Sequence, residues 1–176
     1  GIFLVGSLIL PSFSVIAAFF LSVCCLLIVR EFGMRIVAWM YKTPLEFRAW
    51  SGGWGISLII ALGFGSAFPL PGNLYPRGDQ WSVRNYQDMF GLGAVVSTIL
   101  IACVIILGSM LMDTTSNAFL GYLGLGLLFV GKPLIVFDTL VAIAPFEGFN
   151  GRHLRDYNRL VWLALSAVAG IIFIWV

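Results

Sequence analysis

Residues 1–29 carry no charge, and apolar sequence resumes within a few residues of the polar interruption Arg30-Glu31. Such a stretch has neither the period-two alternation of a half-buried strand nor a polar stripe of period 3.6, and it reads as a helix surrounded by hydrocarbon. Three later stretches repeat the pattern. Together they predict membrane helices over about 12–41, 90–112, 118–144 and 158–176, the last just long enough for about 30 Å of hydrocarbon. Pro11 suits the first turn of the first helix, and Lys132-Pro133 interrupts the third.

A fifth segment, 54–68, is apolar but short, rich in Gly (Gly55, Gly63, Gly65) and closed by Pro69 and Pro71. If it crosses the membrane, Arg35, Lys42 and Arg48 lie on one side, with Arg77, Arg84, Arg152, Arg155 and Arg159 on the other. If it re-enters and returns, all of them share one side and only Asp113 faces them. The positive-inside rule favours the second arrangement, with the basic loops 35–53, 70–89 and 148–159 cytoplasmic. Trp39, Tyr41, Trp50, Trp54, Tyr75, Trp81, Tyr86 and Trp162 mostly flank the apolar runs, where interface anchors sit. The pairs Gly121/Gly124 and Gly126/Gly131 would let helices approach closely. The expectation is an all-α integral membrane protein of about four transmembrane helices plus a re-entrant or short fifth segment, one domain over 1–176.

Composition strengthens this reading. The chain is 60% hydrophobic and 10% charged, with a mean hydropathy of +1.02, whereas soluble domains average roughly 25% charged residues. A net charge of +2, dispersed along the chain, argues against nucleic-acid binding. The opening run lacks the basic n-region of a signal peptide and continues into helix. Because the sequence starts at Gly1 rather than Met, the natural N-terminus is expected upstream. Cys24, Cys25 and Cys103 lie in apolar runs without CxxC spacing and read as small packing residues.

The candidate chemistry begins at Arg30-Glu31-Phe32-Gly33-Met34. Placing an ionised group in hydrocarbon costs about 2.5–3.5 kcal/mol on insertion scales, so such groups are paired or functional. Arg30 and Met34 share one helix face with Glu31 beside them. A second polar interruption, around Asp138 and the Pro145-Phe146-Glu147-Gly148 turn, places two acids in or beside an apolar run.

These two stretches together resemble the site-2 protease family of intramembrane zinc metalloproteases, particularly its compact prokaryotic and archaeal members. The likeness runs from Ser12 to Val176. It includes Glu46-Phe47-Arg48-Ala49-Trp50, Pro71-Gly72-Asn73-Leu74-Tyr75 and residues 158–162. In that family one helix carries His-Glu-x-x-His, a later one Asn-x-x-Pro-x-x-Pro-x-Asp-Gly, and an intervening one often Gly-Pro-x-x-Asn. The resemblance implies a site-2-protease-like bundle in a prokaryotic, archaeal-like cell membrane. Against the motifs, Arg30 and Met34 stand at the two histidines, Glu31 retains the glutamate, and Glu147 stands at the metal-binding aspartate with Gly148 retained. Thr139 and Ala142 replace the second motif's asparagine and first proline. Gly93-Ala94-Val95-Val96-Ser97 keeps only the glycine of the third.

Elementary chemistry agrees with the loss of the metal. Catalytic zinc needs about three imidazole, thiolate or carboxylate ligands. Arg30 stays protonated and cannot ligate, and the Met34 thioether is unsuited to hydrolytic zinc. His153, the only histidine, falls in a polar, arginine-rich stretch and reads as no ligand. No catalytic residue, cofactor or bound metal is expected. A fixed cation instead offsets the acids, through an Arg30–Glu147 or Arg30–Glu31 ion pair fastening two helices, with Lys132–Asp138 as a secondary pair. The plainer alternative is Arg30 snorkelling to the interface. Arg152, Arg155 and Arg159 most simply mark the cytoplasmic face, with an acidic-lipid or partner-protein contact as the other reading.

The function expected from this pattern is a non-catalytic accessory subunit of a membrane complex, or a binder of transmembrane helices. Its partners are other integral membrane proteins and the lipid bilayer, and no nucleic acid. Two rivals remain: a metalloprotease with Glu31 and Glu147 in an atypical metal site, and an ion or proton path through the buried charges.

Overall fold

Ser12 and Lys42 bracket the first helix, and both ends follow from backbone hydrogen bonding. In the computed structural model, which describes residues 2–5, 8–49, 72–77, 83–142 and 149–176 with isolated Gly55, Leu58 and Leu62, helix α1 covers Phe13–Met40. The extended Ser12 lends its carbonyl to the amides of Val15 and Ile16 at 3.0 and 3.2 Å. At the far end Lys42 takes φ 53°. Its amide reaches the Trp39 carbonyl at 3.0 Å, and that of Thr43 reaches Ala38 at 2.9 Å. This paired closure satisfies the last carbonyls and ends the helix sharply, even with lysine where glycine is usual.

Four more helices follow: α2 at Val83–Thr114, α3 at Ala118–Leu140, α4 at Gly151–Tyr157 and α5 at Arg159–Trp175. Asn117 and Asn158 start α3 and α5 as side-chain caps, each accepting two backbone amides. Three helices are long and apolar enough to span a membrane: Phe13–Met40, Asn85–Thr114 and Ala118–Leu140. They mark the chain as a mostly helical membrane protein. At 1.5 Å per residue, the 17 residues of α5 reach about 26 Å, short of a full span.

The described fold is not all helix. Two antiparallel hairpins were unexpected: β1 (Ile2–Val5) pairs with β2 (Leu8–Pro11), and β3 (Leu45–Ala49) pairs with β4 (Gly72–Pro76). The register of the second sets Leu45 opposite Pro76 and Phe47 opposite Leu74. Pro11 therefore ends a strand instead of opening a helix. The hydropathy boundaries also shift. Helix α2 starts ahead of residue 90 because its polar first turns continue the backbone ladder beyond the apolar run. Helix α3 runs through Pro133 without a break and stops at Leu140, as neighbouring helices permit in membranes. The expected re-entrant segment 54–68 lies outside the described residues, apart from Gly55, Leu58 and Leu62.

Helices α1, α2 and α3 pack pairwise around Leu26, Ile101, Ile105, Leu127, Val130, Leu134 and Ile135, and α5 adds Ala169 and Ile172. A second cluster joins Met34, Val37, Ala38, Met89 and Phe90 to Leu74 of β4. Small residues set the helix spacing. A Cβ on Gly33 would lie 2.6 Å from the Ser97 backbone, so α1 and α2 meet there at a distance only glycine allows. Gly124, Gly126 and Gly131 likewise face Gly108, Ser22 and Ile105, whereas Gly121 meets open space. Phe13, Phe20, Ile28, Phe32 and Trp39 stay exposed along the outside of α1, as a hydrocarbon-facing surface requires.

Candidate functional site

The polar centre of the bundle forms around Arg30, which is only 1% exposed. Its Nη1 donates to Glu31 Oε1 at 2.8 Å. Its Nη2 and Nε both donate to Asp138 Oδ1 on α3, at 2.9 and 3.1 Å. Asp138, equally buried, also takes the Asn150 side-chain amide on Oδ2 at 2.7 Å and the Asn150 backbone amide on Oδ1 at 3.2 Å. Asn150 directly precedes α4. One carboxylate thus joins α1, α3 and the start of α4.

The surrounding backbone is tied in at the same level. Ser97 of α2 donates its hydroxyl to the Arg30 carbonyl at 2.9 Å. Trp162 of α5 donates its indole N–H to the Thr139 carbonyl at 2.8 Å. A Cβ on Gly151 would fall 2.5 Å from that same carbonyl. All five helices therefore converge within a turn or so of the Arg30–Asp138 pair.

The positions singled out in the sequence divide as follows. Arg30 meets Glu31, one of its two expected partners, and Glu147, the other, lies outside the described residues. Met34 is buried on the same face and packs against Gly93 of α2. Asp138 bonds Arg30 and not the expected Lys132, and Lys132 pairs with no carboxylate among the described residues. The reason is angular: residues six apart on an unbroken helix point to different sides, and Pro133 leaves α3 unbroken. His153 lies on helix α4, not in a loop. It stacks on Phe90 at 5.0 Å between centroids and sits 6.1 Å from Tyr86. Burial, reinforced by neighbouring Arg152, holds it neutral by lowering its pKa to about 4. Asn150, Ser97 and Trp162 complete the network; Ser97 falls in the stretch matched to the intervening motif, whereas nothing in the sequence marked Asn150 or the Trp162 bond. The cysteines are free, with Cys25 and Cys103 exposed.

Among the described residues, the network sets one cation against two carboxylates. Glu31 Oε2 and Asn150 Oδ1 are buried acceptors that receive no hydrogen bond. Glu31 also borders a cavity of about 300 Å³ on the outer face of α1, beside Leu27, Ile28, Phe32 and Arg35. Among the described residues, no three His, Cys, Asp or Glu side chains converge as a metal site. The arrangement holds charge in place: Nε, Nη1 and Nη2 of Arg30 each donate to a carboxylate oxygen.

A scan of protein-family models and searches of curated proteins and of solved structures return no significant match.

Proposed function

We propose that this chain is a catalytically inactive, site-2-protease-like membrane protein that works as an accessory subunit of a membrane protein complex, engaging the transmembrane helices of its partners. One observation carries the reading. The guanidinium of Arg30 is enclosed between carboxylates of α1 and α3, at the position where the family places its first metal-binding histidine. A guanidinium is a donor only and cannot bind zinc or deprotonate a water, so this position contributes fixed charge and helix fastening. The contacts Gly33–Ser97 and Met34–Gly93 support the same reading, since they bring together the stretches aligned with the family's first and intervening motifs.

The test is purification of the full-length chain in mild detergent, followed by quantitative mass spectrometry and metal analysis. The expected result is a stoichiometric integral membrane partner and no stoichiometric metal. A chain that purifies alone with a bound metal, and cleaves a transmembrane substrate, overturns the proposal in favour of an atypical metalloprotease.

A further inference from the structure

The polar rim of the bundle carries a second constellation, joined to the Arg30 network through Trp162. A cavity of about 530 Å³ is lined by Gln87, Arg155, Asp156, Arg159 and Trp162. It adjoins a second of about 300 Å³ that shares Gln87 and Asp156 and adds Arg152. Among the described residues, three arginines thus face a single carboxylate. Asp156 receives Arg155 at 3.1 Å and lies 3.7 Å from Arg152, which fixes both guanidinia while neutralising only one charge. Arg159 is exposed and forms no ion pair among the described residues.

The groove's position specifies its ligand. It lies where the polar helix α4 gives way to the apolar α5, and Trp162 is anchored there by its bond to Thr139. An amphipathic indole at such a junction belongs at headgroup depth. Below Arg159, the residues at i+4, i+8 and i+11 are Leu163, Ala167 and Gly170, so one helical stripe leads from the guanidinium into the apolar zone. Leu163 is 56% exposed, and the space beside Gly170 is open. We infer that this groove binds the phosphate headgroup of an anionic phospholipid, with Arg155 and Arg159 on the phosphate and an acyl chain along the Leu163–Gly170 stripe. A free phosphate would use the arginines and leave the stripe empty, and an acidic protein segment would not need it.

The inference does not depend on the bundle's role as a subunit, and its test is independent. The full-length protein is exchanged into mixed micelles containing phosphatidylglycerol or phosphatidylcholine, and retained lipid is counted by native mass spectrometry. Phosphatidylglycerol should be retained selectively, and Arg155→Gln with Arg159→Gln should weaken that retention about thirtyfold. Arg77→Gln, an exposed arginine beyond β4, should leave it unchanged. If the double variant does not fold, Arg159→Gln alone is read, with a loss of about fivefold expected. Equal retention of phosphatidylcholine overturns the inference. So does displacement of the lipid by millimolar inorganic phosphate, which assigns the site to a free anion, or an equal loss in Arg77→Gln, which makes the attraction non-local.

Discussion

Replacing Arg30 by Met is the most direct perturbation of the bundle's polar centre. Met approximates the aliphatic stem and removes the guanidinium, together with its bonds to Glu31 at 2.8 Å and to Asp138 at 2.9 and 3.1 Å. Asp138 keeps its two bonds from Asn150 but loses its counter-charge, at 1% exposure where water cannot compensate. Removing one side of a buried pair costs about 3–5 kcal/mol. At about 2–4 °C per kcal/mol for a chain of this size, the midpoint should fall by about 10 °C. Glu31→Gln should cost only about 1 kcal/mol, because its amide oxygen still accepts from Arg30. The double variant Arg30→Met with Asp138→Leu should recover much of the loss, since the fully buried charge of Asp138 is then gone and only the less buried Glu31 is left without its cation. Unfolding in mixed micelles, followed by the fluorescence of the six tryptophans, measures these variants, the parent and Asp138→Leu alone, five proteins in all. If Arg30→Met unfolds within about 0.5 kcal/mol of the parent, or if the two substitutions simply add, the pair is not coupled and the reasoning fails.

Two further outcomes follow from other parts of the bundle. Gly33→Ala should destabilise by about 1–3 kcal/mol because its Cβ meets the Ser97 backbone, whereas Gly121→Ala, facing open space, should be neutral or mildly stabilising; the same unfolding assay ranks them. His153 contributes stability that is fully present above pH 6.5 and lost as pH falls toward 4, because the unfolded chain gains the proton first. The loss relative to His153→Phe should approach about 3 kcal/mol between pH 7 and 4, and parallel pH profiles for the two proteins would refute it.

The membrane helices were legible because hydrocarbon imposes one requirement that hydropathy measures directly. The ends of α3 and α5 at Asn117 and Asn158 carry recognisable caps. The cost of a buried charge likewise singled out Arg30 before its partners were known. The partner itself was not legible. Glu31 is its sequence neighbour, but Asp138 lies 108 positions away, and the choice between Asp138 and other acids depends on the rotation of α3 about its axis. That rotation is set by close contacts such as Gly124 with Gly108 and Gly126 with Ser22, which hydropathy does not encode. A Lys132–Asp138 pair, six positions apart, would need Pro133 to distort the helix, and α3 runs through it unbroken. Helix α4 was missed because two turns with only Gly151 and Leu154 buried leave too short a period to read. The β3–β4 hairpin was missed because its strands are separated in sequence by 22 residues, from Ala49 to Gly72.

The Arg30–Asp138 pair also explains how so apolar a bundle keeps one arrangement. Apolar surface gives little preference among helix rotations in lipid, because the surrounding tails are as apolar as leucine. A buried ion pair is a weak source of net stability compared with well-packed apolar residues, but a rotated helix that strands either charge is strongly penalised. Asp138 extends that constraint beyond two helices: its second oxygen holds Asn150, and through it the start of α4, while Trp162 bonds the very next carbonyl on α3. The rotation of α1 against α3 therefore fixes the placement of α4 and α5. Because α4 and α5 carry Arg152, Arg155 and Arg159, the buried pair also fixes where the arginine groove sits on the bundle.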